Sequence, residues 1–212
     1  MNQKEFIKAI EQLGIKLTNQ QLAQLEKFYN LLNEWNEKIN LTRITNKEDV
    51  YLKHFYDSLT ITRVVDLTKI NTLCDVGTGA GFPGVVLKIC FPNLNVTLVD
   101  SLNKRVNYLN DIIEKLSLKN IKAIHARGEE FKGNFDIVTA RAVANTEKLL
   151  KYTMHLVNKQ GLLIAMKGNV DNELTPELIT KINKLYKLIT IDKFTLPVEN
   201  SHRSLVVIGK KG

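Results

Sequence analysis

Residues Asp75 to Gly84 read DVGTGAGFPG, placing four glycines and a proline between two apolar runs. The first run, TLCDV, has the short β-branched texture of a strand and ends at Gly77. Pro83 suits the first turn of the helix that follows, where a missing N–H costs nothing. The loop therefore joins a strand's carboxyl end to a helix N-terminus, where open α/β sheets bind ligands. Glycines there allow positive φ and let a ligand approach the backbone without a Cβ in the way. Two fingerprints overlap in this loop. Gly79, Gly81 and Gly84 satisfy GxGxxG, with Asp100 about 20 residues on, the dinucleotide pattern. Gly77, Gly79 and Gly81 satisfy GxGxG, with Asp75 two positions before it. Register favours the second, because its first glycine directly follows the strand. Counted from Gly77 the dinucleotide pattern fails, since Phe82 stands where its third glycine belongs. Asp100 closes the next apolar run, NVTLV. A carboxylate at that strand end can accept both hydroxyls of a ribose, and it can also cap the helix beginning at Ser101.

The elements that must position these residues fall into two textures. From Phe6 to about Asp66 the pattern is helical. Phe6, Ile7, Ile10 and Leu13 share one face of a short helix ended by Gly14. Thr18 and Gln21 form a capping-box signature before Leu22, Leu25, Phe28, Leu32, Trp35 and Ile39. Asn46 is placed to cap a third helix through DVYLKHFYDSLTITRVV. After DLTKIN, short strands alternate with helices: TLCDV, NVTLV, IKAIHA, FDIVTA and GLLIAM, with helices after Pro83, through KRVNYLNDIIEKL and from Asn145. This βαβ rhythm predicts a parallel sheet covered on both faces. LITIDKFTLP and RSLVVIGK, joined by VENSH, predict an antiparallel pair at its edge. The division is a helical cap over residues 1–66, packed on an α/β body over residues 67–212.

Composition narrows the class. The chain is 212 residues long with a formal net charge of +8. Residues 1–70 carry 10 basic and 9 acidic side chains, 71–146 carry 9 and 7, and 147–212 carry 11 and 6, so the excess sits in the last third. That favours a polyanionic partner such as nucleic acid. Lysine outnumbers arginine 24 to 6, however, and a skewed genome produces the same bias, so charge alone leaves the partner open. No apolar run approaches the roughly 18 residues of a membrane span, and the amino terminus is polar, which predicts a soluble cytoplasmic protein. Cys74 and Cys90 lack CxxC spacing or a neighbouring His cluster and read as reduced core residues. No metal site is expected.

Six further segments now carry weight with the loop: LVDSLNKRVNYL (Leu98 to Leu109), ARGEEF (Ala126 to Phe131), TARA (Thr139 to Ala142), MKG (Met166 to Gly168), and upstream NEWNEKINLTRIT with HFYDSL. In this order and spacing the chain resembles class I S-adenosylmethionine-dependent methyltransferases. Within them it resembles the RsmG (GidB) family, bacterial enzymes that methylate N7 of a guanine in the 530 loop of 16S ribosomal RNA. The resemblance covers about residues 20 to 210. It implies a Rossmann-like fold, a seven-stranded mostly parallel sheet with an antiparallel edge strand, carrying an N-terminal helical extension. It also implies S-adenosyl-L-methionine as cofactor, S-adenosyl-L-homocysteine as product, and 16S rRNA within the 30S subunit or an assembly intermediate as partner. A monomer is expected. Gly77 and Phe82 are expected to contact the cofactor, Gly79 and Gly81 to shape the turn, and Asp100 to hold the ribose. Gly128 and Glu129 should face the adenine, and Arg141 should lie near cofactor and substrate. His54 and Asp57 match the family's H..DSL element. Two departures stand out: Lys53 where the family often has arginine, and Gly128 where a small aliphatic residue is usual.

The chemistry agrees with what is missing. N7 of guanine offers an unprotonated lone pair, so no proton has to leave and no dedicated general base is expected. The chain has neither an Asn-Pro-Pro-aromatic element nor a paired Cys. The product base is cationic, so Glu129, Asp57 or Phe82 are candidates to lie near it. Arg141 could grip a phosphate or the O6 edge of guanine, or could instead pair with a structural carboxylate. Arg127, Lys167 and Arg203, at strand ends, are candidates to line an RNA path. His54 has packing and catalytic readings open to it; His125, Trp35 and Phe28 read as structural. Two rival functions remain at this stage. One is an NAD-dependent oxidoreductase, from the Gly79 register. The other is an RNA-binding assembly factor with a vestigial pocket.

Overall fold

The structure is a computed structural model, and it describes residues 1–211. Helix α1 (Gln3–Gln12) starts at a capping box in which Asn2 and Glu5 each satisfy the other's backbone N–H. Helix α2 (Asn19–Ile39) starts at the Thr18/Gln21 box the sequence predicts and stops where Asn40 turns left-handed at φ 50°. Asn46 caps α3 (Lys47–Val50) by accepting from the backbone of Glu48 and Asp49. The predicted third helix is not uniform. It widens into a π-helical turn over Tyr51–Tyr56 before α4 (Asp57–Leu59). Such widened turns concentrate at functional sites, and this one carries Lys53 and His54.

The α/β body supplies β1 (Thr72–Val76), α5 (Gly84–Cys90), β2 (Asn95–Asp100), α6 (Asn103–Lys115), β3 (Ile121–His125), β4 (Phe135–Arg141), α7 (Thr146–Thr153), β5 (Val157–Lys167), α8 (Pro176–Leu185), β6 (Tyr186–Thr195) and β7 (His202–Lys210). The strands form one seven-stranded sheet in the order β3-β2-β1-β4-β5-β7-β6. The pairs among β1 to β5 are parallel, and β7 runs antiparallel to both neighbours. The edge pair is therefore as expected, with β7 one position in and β6 outermost. Order reverses between β1 and β4, so the carboxyl ends of these two strands flank the crevice where such sheets take ligands.

The N-terminal helices share a core with the sheet. Phe6, Phe28, Tyr51 and Phe55 are fully buried in one aromatic cluster. Phe82 of the glycine loop joins it, its ring 5.3 Å from Phe28 and 6.2 Å from Phe55. Gln21 reaches the carbonyls of Ile89 and Cys90 at the end of α5, and Trp35 donates to Asp111 on α6. Cys74 and Cys90 are free and buried, and burial pushes both thiols up, as expected of inert core cysteines. No helix among the described residues is long and apolar enough to cross a membrane.

Candidate functional site

The glycine loop leaves β1 at Gly77, whose φ of 69° lies in the left-handed region that disfavours any Cβ. Space there is short as well: a Cβ on Gly77 would stand 2.7 Å from a methyl of Val143, on the loop after β4. A Cβ on Gly81 (φ 91°) would stand 2.7 Å from a methyl of Val85 and 3.2 Å from one of Leu109. Asp75 lies beneath, fully buried. One carboxylate oxygen accepts from Thr78 Oγ1 at 2.7 Å and from the Gly84 N–H at 2.8 Å; the other, Oδ1, has no partner among the described residues. Burial pushes this carboxyl up to about 6, against the pull of the two hydrogen bonds. Positive-φ glycines thus carry the loop over a buried carboxylate whose negative charge suits a cationic ligand group above it. The Phe82–Pro83 bond is cis, and Pro83 caps α5, one residue before the expected first-turn position.

Asp100 is 2% exposed, and both of its oxygens are engaged. Oδ2 accepts from the Gly79 N–H at 2.9 Å and meets Arg105 at 3.4 Å, while Oδ1 accepts from the Leu102 N–H at 2.9 Å. The helix expected from Ser101 begins instead at Asn103, with Leu102 at its N-cap and no side-chain cap, so Asp100 does not cap it; its carboxylate ties the glycine loop and the turn before α6 to β2. Gly128 and Glu129 follow β3 in a turn where Gly128 packs against Val76 and Tyr152, and Glu129 is exposed.

Arg141 ends β4 and gathers the remaining site residues. Its Nη1 donates to the Lys53 carbonyl at 2.9 Å and to Asp57 Oδ2 at 3.1 Å, its Nη2 lies 3.0 Å from His54 Nδ1, and its guanidinium sits 5.2 Å above the Phe82 ring. Arg203, on β7, donates from Nε to the other Asp57 oxygen at 3.0 Å. Asp57 is thus clamped between two arginines brought from 84 and 146 residues away. This cluster borders a cavity of about 510 Å³, which Ile44, Met166, Asn169 and Phe194 also line. His54 is buried, stacked on Phe82 at 4.3 Å and 16°. Burial first, then the adjacent Arg141, push its pKa down to about 3.

The basic candidates separate. Arg203 opens on the cavity. Lys167 also lines it, but its ammonium is taken by Glu173 at 2.8 Å and by the Ala144 carbonyl at 2.8 Å. Glu173 accepts as well from the Thr146 hydroxyl at 2.6 Å and from the Thr146 N–H, so this pair pins the loop that carries Val143. Burial alone would raise the Glu173 pKa, but these bonds outweigh it and hold the carboxyl below its ordinary value. Arg127, exposed after β3, stands at the opposite edge of the sheet, five strand places from β7 or about 24 Å at usual spacing. Of the three groups considered for the cationic product, Asp57 lines the cavity, Phe82 lies under Arg141, and Glu129 is on the distant β3 turn. Three residues were missed in the sequence: Thr42, whose hydroxyl lies 3.1 Å from His54 Nε2, Phe194 and Glu173. Only Glu173 had a local signal, an acid just ahead of the Thr175 cap.

Comparison with known proteins agrees with this architecture. The sequence model of the family described as rRNA small subunit methyltransferase G matches residues 21–204. A Bacillus licheniformis protein named ribosomal RNA small subunit methyltransferase G is 47% identical, over all of this chain and 91% of its own length. Its Bacillus subtilis (strain 168) counterpart, of the same name, is 48% identical over 99% of this chain and 91% of its own length. Among solved structures, a SAM-dependent methyltransferase from Aquifex aeolicus superposes with a TM-score of 0.58 at 15% identity, covering 85% of this chain and 97% of its own. A ribosomal protein L11 methylase from Lactobacillus delbrueckii subsp. bulgaricus superposes at 0.55 and 17% identity, covering 80% and 81%. At those identities the two structures speak for the fold alone.

Proposed function

The chain belongs to the rRNA small subunit methyltransferase G family, and from that premise we propose that it methylates N7 of a guanine in the 530 loop of 16S rRNA, using S-adenosylmethionine. The observation that carries this reading is the state of the groups around the cavity beside the glycine loop. Asp57 has both oxygens on arginines, and His54 has both ring nitrogens engaged, one with Arg141 and one with Thr42. Neither is free to take a proton from a substrate. N7 of guanine needs no such group, because it attacks with an existing lone pair, whereas an exocyclic amine or a ribose hydroxyl must lose a proton.

When bound, S-adenosylmethionine supplies an electrophilic methyl on a sulfonium sulfur. The chain's own work is then alignment and exclusion of water. Gly77, Gly79 and Gly81 carry the loop through left-handed conformations at the methionine end, with Phe82 in the same loop, and the negative charge of the buried Asp75 beneath suits that end's ammonium. Asp100 is assigned the ribose, taking its hydroxyls in exchange for a present donor, the 3.4 Å contact from Arg105 being the longest and first to yield. Gly128 and Glu129 are assigned the adenine side. Arg141 and Arg203 face the RNA across the cavity, suited to a phosphate or to the O6 edge of guanine. The substrate is 16S rRNA within the 30S subunit or an assembly intermediate, and the enzyme acts as a cytoplasmic monomer.

The test is incubation with radiolabelled S-adenosylmethionine and 30S particles, or their rRNA, from cells lacking the protein, followed by mapping of the label. Label at N7 of a 530-loop guanine is the expected result. Label on an exocyclic amine or a ribose would overturn the proposal.

A further inference from the structure

The role of His54 follows from which atoms can donate. A guanidinium has no acceptor. In the 3.0 Å contact between Arg141 Nη2 and His54 Nδ1 the arginine therefore donates, and Nδ1 must be an unprotonated lone pair. The ring proton then sits on Nε2, 3.1 Å from Thr42 Oγ1, which accepts it. Thr42 is itself fixed: its N–H donates to Asn36 Oδ1 at 2.8 Å, and its hydroxyl oxygen accepts from the Ile44 N–H at 3.0 Å. A protonated imidazole would set N–H against N–H and cation against cation. The opposite tautomer would do the first of these.

We propose that His54 is the positioning residue for Arg141: a neutral Nε2–H imidazole, anchored by Thr42 and stacked on Phe82, that holds the guanidinium at the cavity wall by accepting its hydrogen bond. The other contacts on Arg141 restrain Nη1, through Asp57 and the Lys53 carbonyl, whereas His54 restrains Nη2. Without His54, Nη2 would lose its acceptor, and the guanidinium would shift from this position to find another. Phe82 lies against both partners, so the same contact couples the arginine to the glycine loop. The inference deepens the proposed methyl transfer and rests on Arg141 facing the substrate.

The test has two arms. In the first, ring 15N resonances of His54 are recorded in the full-length protein between pH 8 and pH 5. An unprotonated Nδ1 and a protonated Nε2 throughout this range are expected; an Nδ1–H tautomer, or titration within the range, would overturn the proposal whatever the enzyme methylates. In the second, methyl transfer to 30S particles is compared for wild type, His54→Asn, His54→Leu, Arg141→Ala and the His54→Leu/Arg141→Ala double variant, each checked for folding by circular dichroism. Asparagine can present its amide oxygen where Nδ1 stood, and leucine cannot. His54→Leu should lower kcat/KM about 100-fold, the scale of a 1 Å misplacement, and His54→Asn should recover most of that. In the double variant, loss of His54 should add little to loss of Arg141. Losses that multiply, or an asparagine variant as poor as leucine, would show that His54 acts only in packing. If wild-type label maps away from N7, the substrate assignment fails, while the 15N result still judges His54.

Discussion

Asp75→Asn tests a buried carboxylate that has one oxygen without a partner among the described residues. Asp75 is fully buried with one oxygen unpartnered, and its pKa is pushed from 3.8 up to about 6. Below pH 3.8 the group is protonated in both folded and unfolded chains and has no effect on stability through its charge. Between 3.8 and 6 the native state holds the proton and the unfolded state releases it, so stability falls as pH rises. Above 6 the whole cost is present: about two pH units at 1.36 kcal/mol each, or roughly 3 kcal/mol. Asparagine is neutral throughout and retains an oxygen to accept from Thr78 and Gly84, though as a weaker acceptor than a carboxylate. Its amide NH2 takes the place of the unpartnered oxygen at a pH-independent cost of about 1–3 kcal/mol, so it is the difference from wild type that should rise, by about 3 kcal/mol between pH 3.5 and pH 8 in urea denaturation. The rise should fall between pH 4 and pH 6, with wild type the more stable near pH 3.5. A difference that stays constant from pH 8 to pH 4 would refute the reasoning, because a packing or hydrogen-bond effect carries no such window. The same variant should bind S-adenosylhomocysteine more weakly by calorimetry, since a neutral amide no longer compensates an ammonium.

His54 gives the opposite slope: with its pKa pushed down to about 3, the unfolded chain takes up a proton below pH 6.5 that the native state refuses, so stability is lost as pH falls. His54→Asn should consequently lose less stability than wild type between pH 6.5 and 4, read by urea midpoints at each pH. Gly77→Ala should cost about 1–2 kcal/mol from its φ of 69° alone, and should abolish S-adenosylhomocysteine binding while the fold, read by circular dichroism, persists. Arg203→Ala should weaken binding to 30S particles and reduce its salt dependence by about one ion, leaving S-adenosylhomocysteine affinity within about twofold; equal loss of both would place Arg203 in the fold and not in the RNA path.

What the sequence made legible was local. The Thr18/Gln21 and Asn46 caps, the strand ending at Gly77 and the register of its glycines depend on neighbours within a few positions, and each stands where the pattern puts it. The Asp57 clamp was not legible, because its partners lie 84 and 146 residues away and nothing in DSL distinguishes a doubly paired aspartate from a solvated one. Lys167 looked like a basic residue at a strand end, and it is one, but Glu173 and the Ala144 carbonyl take its charge into a loop anchor. Sequence supplies the sign of a charge; only the fold decides whether that charge is already neutralised. The π-helical turn at Tyr51–Tyr56 was hidden for a related reason, since an apolar stripe at three-to-four spacing does not distinguish a regular helix from one with a single wide turn.

Phe82 links the helical extension to the candidate site as well as to the core. In the sequence it is a loop residue that spoils a dinucleotide fingerprint. In the fold its buried ring packs against Phe28 of α2 and Phe55 of the π-helical turn, is stacked on His54, and lies under Arg141. The glycine loop, through its Phe82 ring, and Arg141 are thus in direct contact, so the group proposed to meet the cofactor and the one proposed to meet the RNA share one packing site. A shift of the N-terminal helices would move both together. Replacing Phe82 with leucine would keep most of the apolar burial while removing the stacked face, so its effect should fall on methyl transfer more than on stability. Were α1 and α2 only a lid over exposed apolar surface, the balance would be the reverse.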